Sequence, residues 1–367
     1  MAGRFDIDCM ARALQLARRG LYTARPNPRV GCVIARNGEI VGEGFHRRAG
    51  EAHAEINALA DAGERARGAT AYVTLEPCNH QGRTGPCSRA LAEAGVAEVV
   101  YGMTDPHDRA GGGNDYLRGA GIAVRGPVLE NEARRLNPGF IKRCETGLPR
   151  VTVKIAASLD GRTAMASGES QWITGPDARR DVQRLRARSD AVITGIGTVL
   201  ADDPSLTVRA GELGLAGAEA IADNQPLRVI VDSEGRLPDT AKMLGLPGPL
   251  LVAVVGDRVG ELPPAPEVFA SQSREGRVDL EALLRELARR ECSEVLVEAG
   301  AELAGAFIAA GLADRLVIYM AARLLGSTAR PLVALPLESM AGAVDVKIVD
   351  MRALGGDWRI TAEVVDD

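Results

Sequence analysis

Three side chains that bind zinc well lie in the first third of this 367-residue chain: His53, Cys78 and Cys87. One imidazole and two thiolates can occupy three corners of a tetrahedron and leave the fourth for water, as in catalytic zinc sites. Residues so far apart in sequence meet only where the chain folds back on itself. This feature therefore constrains the fold of the region, and we predict one zinc ion (Zn2+) per chain.

Glu55 lies two residues after His53, where its carboxylate can reach the water on the zinc without being a ligand. The order H-x-E followed by P-C-x-x-C is the signature of zinc deaminases of nucleobases, although here eight residues separate the two cysteines. Zinc would lower the pKa of its water and give hydroxide near neutral pH. Glu55 would take the water proton and later give it to the leaving ammonia.

An alternative is a structural zinc site, or an accidental collection of cysteine and histidine. Structural sites usually have four protein ligands, and the candidate for the fourth is His80, close in sequence to Cys78. The glutamate at position 55 and the polar composition of the loop between the cysteines favour catalysis over a structural role.

Composition limits the class of protein. Hydrophobic residues make up 46% and charged residues 25%, which is ordinary for a globular chain with two cores. The net charge of −5 argues against a large nucleic-acid surface. We expect a cytoplasmic protein, since no apolar run could span a membrane and the N-terminus lacks a signal-peptide core. Four isolated cysteines are interpreted as small apolar residues: Cys9, Cys32, Cys144 and Cys292.

Alternating strand and helix patterns predict an α/β sandwich in residues 1–146. The strand Ala71 to Leu75 would end just before the first zinc-binding cysteine, and ligand sites of open α/β sheets are built at such strand ends. A helix is predicted from Arg89 to Ala94, with Ser88 as its cap. Cys87 would precede the first turn, where the helix dipole favours a thiolate.

Residues 147–367 begin with the linker Gly147-Leu148-Pro149, and their pattern predicts a second α/β alternation. The first helix of this part, Ala178 to Arg188, would be capped by Asp177. All four histidines precede residue 110. Any chemistry of the second domain must therefore proceed without imidazole.

Two glycine-containing turns follow strands in the second domain, Gly195 to Thr198 and Glu298 to Gly305. Small residues let backbone N–H groups approach a phosphate at a helix N-terminus, so the turns indicate a nucleotide cofactor without identifying it. Lys154 lies inside an apolar strand, where a lysine rarely lacks a partner or a task. Arg186 and the segment Asp202 to Arg209 could hold a phosphorylated ligand, although a solvated basic face is the alternative.

Several segments together match one known family. In the first half they are Pro26-Asn27-Pro28-Arg29-Val30-Gly31, His53-Ala54-Glu55, Pro77-Cys78 and Gly85-Pro86-Cys87. In the second half they are Ala157-Ser158-Leu159-Asp160-Gly161-Arg162-Thr163-Ala164, Gly168-Glu169-Ser170-Gln171-Trp172-Ile173-Thr174, Val199-Leu200-Ala201-Asp202-Asp203-Pro204 and Val297-Glu298-Ala299-Gly300. The chain resembles the bifunctional deaminase/reductases of riboflavin biosynthesis over nearly its full length.

The resemblance implies a cytidine-deaminase-like α/β/α sandwich in residues 1–146 and a dihydrofolate-reductase-like α/β domain in residues 147–367. The first would deaminate 2,5-diamino-6-ribosylamino-4(3H)-pyrimidinone 5′-phosphate. The second would use NADPH to reduce the ribosyl chain, giving 5-amino-6-ribitylaminouracil 5′-phosphate. The partner would thus be a phosphorylated ribosylaminopyrimidine, and a homo-oligomer, dimer or tetramer, is expected.

The resemblance also implies roles for individual residues. His53, Cys78 and Cys87 would hold zinc, with Glu55 as the proton shuttle. The deaminase pocket would be lined by Asn27, His46, His80 and Arg83. The NADPH side of the reductase would comprise Ala156, Trp172, Thr198, Asp202, Ser233, Gly300, Ala301, Glu302, Leu303, Ala304, Gly305 and Ala306. Its substrate side would comprise Ser170, Arg186, Leu206, Arg209 and Glu298, with Lys154 and Asp202 as catalytic residues near the reacting carbon.

One segment departs from the family, because Asp105-Pro106-His107-Asp108 leads into Gly111-Gly112-Gly113 where Asp-Pro-Asn is usual. Two other functions are weighed against the one implied. A zinc nucleoside or tRNA deaminase with an unrelated second domain is disfavoured by the net acidity and the long cysteine spacing. A zinc-stapled binding module would need a fully ligated zinc and would release no ammonia.

Overall fold

The structure is a computed structural model, and it describes residues 3–80, 85–107, 111–170, 172–256, 258, 262–264 and 266–365. The chain divides into two compact units, Met1–Gly147 and Leu148–Asp367. Within the described ranges, no helix combines the length and the apolar character needed to cross a membrane.

The first unit contains one five-stranded sheet. Its strands are β1 (Gly31–Arg36), β2 (Glu39–Phe45), β3 (Thr70–Val73), β4 (Glu98–Tyr101) and β5 (Ala123–Arg125). They pair in the order β2-β1-β3-β4-β5, in which β1 is antiparallel to both neighbours and β3, β4 and β5 are parallel. The helices are α1 (Arg4–Arg18), α2 (Ala54–Ala62), α3 (Cys87–Glu93), α4 (Gly113–Gly119), α5 (Glu130–Leu136) and α6 (Pro138–Thr146).

Helices cover both faces of this sheet. Successive side chains of a strand point to opposite faces, so Val33 of β1 packs in a core with Met10 of α1, and Ile34 packs in another with Leu91 of α3 and Leu117 of α4. The first core also receives α5 and α6, and the second also receives α2. The predicted α/β/α sandwich is confirmed.

The second unit is built on a nine-stranded sheet in the order β11-β10-β9-β8-β14-β6-β15-β18-β17. These strands are β6 (Arg150–Ser158), β8 (Ala191–Gly195), β9 (Leu227–Val231), β10 (Leu250–Val255), β11 (Glu267–Ser271), β14 (Glu294–Glu298), β15 (Arg315–Ala321), β17 (Val346–Leu354) and β18 (Asp357–Val364). Neighbouring strands of this sheet are parallel except for two antiparallel pairs, β15 with β18 and β18 with β17. Two short pairs, β7 (Arg162–Ala164) with β16 (Arg330–Pro331) and β12 (Ser273–Arg274) with β13 (Arg277–Val278), lie outside it.

Six helices accompany the large sheet in the described part of the second unit. They are α7 (Pro176–Ala187), α8 (Ile196–Asp202), α9 (Ala210–Leu213), α10 (Ala218–Ala222), α11 (Leu280–Arg289) and α12 (Ala301–Ala309). Separate apolar cores form with Leu283 of α11 and Phe307 of α12, and with Leu185 of α7 and Val199 of α8. The predicted α/β alternation is therefore confirmed.

Two predicted helix starts are wrong. Helix α3 begins at Cys87 after Pro86, because the Ser88 hydroxyl donates to Asn79 Oδ1 (2.9 Å) instead of capping the helix. Helix α7 begins at Pro176 with Gly175 as its N-cap residue, so Asp177 lies in the first turn instead of capping the helix.

The first unit also contains two helices that periodicity did not indicate, α5 and α6. They are short and separated by Asn137 alone, so each offers too few apolar repeats for a helical pattern to be recognised.

Candidate active sites

Three donor atoms converge in the first unit. Cys78 Sγ lies 3.6 Å from His53 Nδ1, and Cys87 Sγ lies 3.3 Å from the same nitrogen. All three atoms lie within 4.8 Å of one another. Zinc bonds of about 2.3 Å to sulfur and about 2.0 Å to nitrogen, at tetrahedral angles, would separate nitrogen from sulfur by about 3.5 Å. The donor set therefore fits a single zinc ion.

Local structure brings the donors together. His53 is the N-cap residue of α2, and Cys87 is the first residue of α3. Cys78 lies in the loop that follows β3, and its two hydrogen bonds with α3 close that loop. The Cys87 N–H donates to Cys78 Sγ (3.5 Å), and the Ser88 N–H donates to the Cys78 carbonyl (3.2 Å).

The two thiols compete for one proton. The hydrogen bond from Cys87 lowers the pKa of the Cys78 thiol below its ordinary value. The same contact, followed by burial, raises the pKa of the Cys87 thiol above its ordinary value. Two adjacent thiolates repel each other without a cation, and cysteine ligands of zinc are thiolates. Metal binding would thus release the proton from Cys87.

Glu55 lies beside this cluster in the first turn of α2 and is 4% exposed. Burial raises the pKa of its carboxyl to about 7, and the negative charge on Cys78 acts in the same direction. A carboxyl group with a pKa near neutrality can both accept and return a proton, as a general acid/base must.

His46 and Asn27, two of the predicted pocket residues, contact each other. His46 Nε2 lies 3.1 Å from Asn27 Nδ2, and His46 Nδ1 lies 3.2 Å from the Ala52 carbonyl oxygen. Because a carbonyl only accepts, the ring proton is assigned to Nδ1, and Nε2 accepts from the Asn27 amide. Burial lowers the pKa of His46, and its ring meets that of His53 edge-on at 5.3 Å between centroids.

The other two predicted pocket residues lie in the loop between the cysteines. His80 is exposed and does not belong to the metal-donor cluster found among the described residues, which contains three side chains. The described part of the chain thus supplies no fourth ligand of the kind a structural zinc site needs. Arg83 lies outside the described residues.

The loop that carries Cys78 has a support that sequence analysis missed. The buried carboxylate of Glu76 accepts from the backbone N–H groups of Asp105 (3.3 Å) and Asn114 (3.0 Å). A Cβ atom on Gly113 would lie 1.8 Å from the Pro77 carbonyl oxygen. The run of three glycines was the available signal, because only glycine permits so close a backbone approach.

The same contacts involve the segment that departs from the family. The His107 N–H donates to Asp105 Oδ1 (2.9 Å), which closes a local turn. Burial raises the pKa of Asp105 to about 6, and the neighbouring Glu76 adds to the effect. Asp108 lies outside the described residues.

The second unit brings Lys154 of β6, Arg186 of α7 and Glu298 of β14 together. Arg186 Nε and Nη2 lie 2.6 and 3.0 Å from Glu298 Oε1 and Oε2, and Lys154 Nζ lies 3.9 Å from Oε2. Burial lowers the pKa of Lys154, and Glu298 opposes that shift. Burial would raise the pKa of Glu298, but Arg186 lowers it below its ordinary value.

The two arginines predicted to meet phosphate differ in their surroundings. Arg186 is largely buried and also donates to the Thr207 carbonyl (3.2 Å). Arg209 is exposed, pairs with Glu212 through two nitrogens and donates to Ser205 Oγ (3.1 Å). Arg209 is therefore the more accessible of the two to a charged ligand.

Helix α12 exposes only some of the residues that were predicted to bind the cofactor. Gly300 is the N-cap residue and is exposed, and Ala301 to Leu303 form the first turn. Ala304 packs in the core, Ala306 is partly buried, and a Cβ on Gly305 would lie 2.1 Å from a backbone carbonyl oxygen. Backbone N–H groups of the first turn are thus the part of α12 able to meet a phosphate.

The remaining predicted reductase residues occupy loops and strand ends. Trp172 is 64% exposed, with the Arg179 guanidinium 4.7 Å from its ring centroid. Ser233 Oγ accepts from the Val278 N–H (3.1 Å). The others are Ala156 in β6, Ser170 before the Trp172 loop, Thr198 and the exposed Asp202 in α8, and buried Leu206 at φ +51°.

Two family models match this chain, one in each unit. Residues 149–360 match the family model of the RibD C-terminal domain, and residues 4–103 match that of the cytidine and deoxycytidylate deaminase zinc-binding region. The riboflavin biosynthesis protein RibD of Escherichia coli (strain K12) is 51% identical over 354 residues, which cover 95% of this chain and 96% of that protein. This chain belongs to the RibD family.

Solved structures of RibD proteins show the same architecture. Acinetobacter baumannii RibD (form 1) superposes with a TM-score of 0.91 at 46% identity, covering 99% of each chain. The diaminohydroxyphosphoribosylaminopyrimidine deaminase/5-amino-6-(5-phosphoribosylamino)uracil reductase of Thermotoga maritima gives a TM-score of 0.86 at 32% identity, covering 98% of this chain and 99% of that one. The chain is thus a bifunctional RibD-type enzyme of riboflavin biosynthesis, a deaminase fused to a reductase, and the predicted family and fold class are confirmed.

Proposed function

We propose that this chain deaminates 2,5-diamino-6-ribosylamino-4(3H)-pyrimidinone 5′-phosphate and then reduces the ribosyl chain of the product with NADPH. The convergence of His53, Cys78 and Cys87 beside buried Glu55 carries the first half of the proposal. The buried group of Lys154, Arg186 and Glu298 supports the second. We assign the deaminase to residues 1–146 and the reductase to residues 147–367.

In the deaminase, His53, Cys78 and Cys87 would hold zinc. Zinc, when bound, supplies the Lewis acidity that lowers the pKa of water to near neutrality. Glu55 would accept the water proton and return it to the departing amino group, which leaves as ammonia. Asn27, His46, His80 and Arg83 would bind the pyrimidine and its ribose phosphate.

In the reductase, the first turn of α12 and the exposed residues of α8 would bind NADPH, which supplies a hydride. The hydride would add to C1′ of the opened, imine-like ribose, and a proton would go to the attached nitrogen. Lys154 is the proposed proton donor, since it is the buried cation beside Glu298 that can lose a proton. Asp202 would assist near the same carbon, and Arg209 would meet the substrate phosphate.

We extend the proposal to a homo-oligomer, a dimer or a tetramer, in a reducing cytoplasm. Edge strand β17 has eight of its nine residues exposed, among them Ile348 (59%) and Met351 (52%). An apolar, uncovered edge strand invites pairing with another strand, which supports a second copy of the chain as its partner. The thiol zinc ligands support the reducing location.

The proposal is tested by following ammonia release and NADPH oxidation separately on the purified full chain. Glu55→Ala should lower ammonia release at least about a hundredfold, because a general acid/base contributes that much or more. Reduction of supplied deaminated intermediate should stay normal. Glu64→Ala, at an exposed position after α2, is the control and should leave both activities unchanged.

Metal analysis of the same preparations completes the test. We expect one zinc per chain, and its removal by a chelator should abolish ammonia release and spare NADPH oxidation. Loss of both activities by folded Glu55→Ala would contradict the two-site proposal. Activity on cytidine or tRNA, with none on the pyrimidinone phosphate, would contradict the proposed substrate.

A further inference from the structure

A buried amide clamps the chain just before β1. Asn137, the residue between α5 and α6, is 5% exposed. Its Oδ1 accepts from the backbone N–H of Arg29 (2.8 Å) and from Arg29 Nε (3.2 Å). Its Nδ2 donates to the backbone carbonyl of Arg29 (2.9 Å). One side chain therefore satisfies both backbone groups of a residue distant in sequence.

The hydrogen bonds determine the orientation of the amide. Rotating the Asn137 amide by half a turn would set Nδ2 against the Arg29 N–H and Oδ1 against the Arg29 carbonyl. Both contacts would then be repulsive, and buried polar groups would lose their partners. The carboxamide thus acts like one residue of a neighbouring strand, although residues 26–30 belong to no strand.

The clamped segment holds His46 at two points. Asn27, two residues before Arg29, donates its amide to His46 Nε2. Val30, one residue after Arg29, accepts from the His46 N–H (3.0 Å). The ring held in this way is the one that packs edge-on against His53. The position of Arg29 therefore determines where the Asn27 and His46 side chains lie relative to the zinc ligands.

We infer that Asn137 is a positioning residue of the deaminase, which sets the substrate pocket by holding Asn27 through the backbone of Arg29. The inference rests on the proposed function, in which Asn27 and His46 bind the pyrimidine substrate. Asn137 itself touches neither the metal donors nor the catalytic carboxyl in any contact that the structure describes. It acts through Arg29, and its loss should relax the pocket wall while leaving the donor cluster in place.

A purely structural role would make a different prediction. Asn137 also lies where α6 joins the first core through Phe140 and Ile141, so its hydrogen bonds could serve only to dock that helix. In that case, replacement would lower stability without a selective effect on substrate binding. The positioning role instead predicts that pocket geometry responds first, because Asn137 bonds the backbone of the same segment that carries Asn27.

The test is a double-mutant cycle on the full chain, with the pyrimidinone phosphate as substrate. Asn27→Ala and Asn137→Ala should each raise the KM for ammonia release about tenfold, the effect of one or two lost hydrogen bonds. The double variant should lie within about twofold of Asn27→Ala alone, because residues that act through one another are not additive. The kcat and the zinc content should change less than about twofold.

Two further variants keep the result decisive. Asn137→Asp retains both acceptor contacts with Arg29 but sets a carboxylate oxygen against the Arg29 carbonyl, so it should raise KM at least as much as Asn137→Ala, again with no added effect in the Asn27→Ala background. Tyr72→Phe removes a partly buried hydrogen bond to Asp6 (2.9 Å) in the same unit and should leave KM unchanged. In every variant, the rate at which the deaminated intermediate is reduced shows whether the second unit is still active.

The outcomes separate the inference from the proposed function. If Asn27→Ala leaves KM normal, the assigned pocket is wrong and the proposed deaminase function fails with it. If Asn27→Ala raises KM but Asn137→Ala and Asn137→Asp do not, or if their effects multiply with that of Asn27→Ala, the positioning role is overturned and the proposed function stands.

Discussion

Arg186 and Glu298 form a two-point ion pair, with distances of 2.6 and 3.0 Å, in which both side chains are about nine-tenths buried. Lys154 is too far from Glu298 for a hydrogen bond at 3.9 Å, but close enough to depend on its charge. One carboxylate thus faces two buried cations. Because Arg186 cannot lose its proton near neutral pH, Lys154 is the member of this group whose charge can change.

Replacing Glu298 by glutamine should destabilise the second unit by about 3 kcal/mol, because removing one partner leaves buried charge without compensation. The unfolding transition of that unit should move to lower temperature, and NADPH oxidation should fall with it. Glu281→Gln breaks an exposed pair with Arg285 on α11 and should have almost no effect. Equal melting temperatures for the two variants would show that the buried pair is not needed.

The reductase should lose activity on the alkaline side at a lower pH than an ordinary lysine would require. Burial lowers the pKa of Lys154, and the protonated form that could donate a proton disappears as pH rises through that pKa. The kcat for NADPH oxidation, measured between about pH 7 and pH 10, should show this limb. Lys154→Met should lower turnover and abolish the limb. Normal turnover by Lys154→Met would exclude the assignment.

Gly113→Ala should disrupt the zinc site from a distance. The new Cβ would lie 1.8 Å from the Pro77 carbonyl oxygen, so the backbone before Cys78 must move. We expect zinc content and ammonia release to fall at least about tenfold, the range found for groups that support metal ligands. Gly119→Ala, at the other end of α4, meets nothing within 4 Å and is the control. Full zinc content in Gly113→Ala would show that the loop tolerates the displacement.

Acid should destabilise the first unit partly through Asp6. The hydrogen bond from Arg125 (2.8 Å) lowers the pKa of Asp6 to about 2, below its unfolded value of about 3.9. This carboxylate therefore stabilises the fold above about pH 4, and the stabilisation is lost as pH falls toward about 2.

In Arg125→Met, the free energy of unfolding of the first unit should depend less on pH between about pH 4 and pH 2. The change should be under about 1 kcal/mol, because Arg125 is partly exposed. Thermal melts between about pH 5 and pH 2 measure the effect. Arg118→Met, which breaks an exposed pair with Asp115, should leave the pH dependence unchanged. A steeper acid transition in Arg125→Met would contradict the sign.

Strand β17 should govern association. Ile348→Lys places a charge on the exposed apolar edge and should reduce the mass measured by light scattering to that of a 38.6 kDa monomer. Ile40→Lys changes an exposed residue of β2 in the other unit and should leave the mass unchanged. A wild-type mass equal to one chain would contradict the proposed oligomer.

Much of the zinc site could be predicted from the sequence because its ligands are chemically distinctive and Glu55 is local to His53. The strand predicted from Ala71 to Leu75 also followed from an apolar run, and β3 spans Thr70–Val73. The start of α3 could not be predicted, because the Ser88 hydroxyl could cap a helix or bond elsewhere. It donates to Asn79, which lies in the loop that the Cys78 contacts close. Local propensity cannot decide between two partners when one of them is supplied by tertiary structure.

The sequence by itself determined which side chains could carry the chemistry, because ligand type, charge and acidity belong to the residues. Tertiary structure alone decided which of them meet. Three contacts join distant segments of the chain: Asn137 with Arg29, Gly113 with Pro77, and Glu298 with both Lys154 and Arg186. Strand order and helix packing create these contacts. Periodicity carries no information on such pairs, since each partner satisfies its own local pattern equally well without the other.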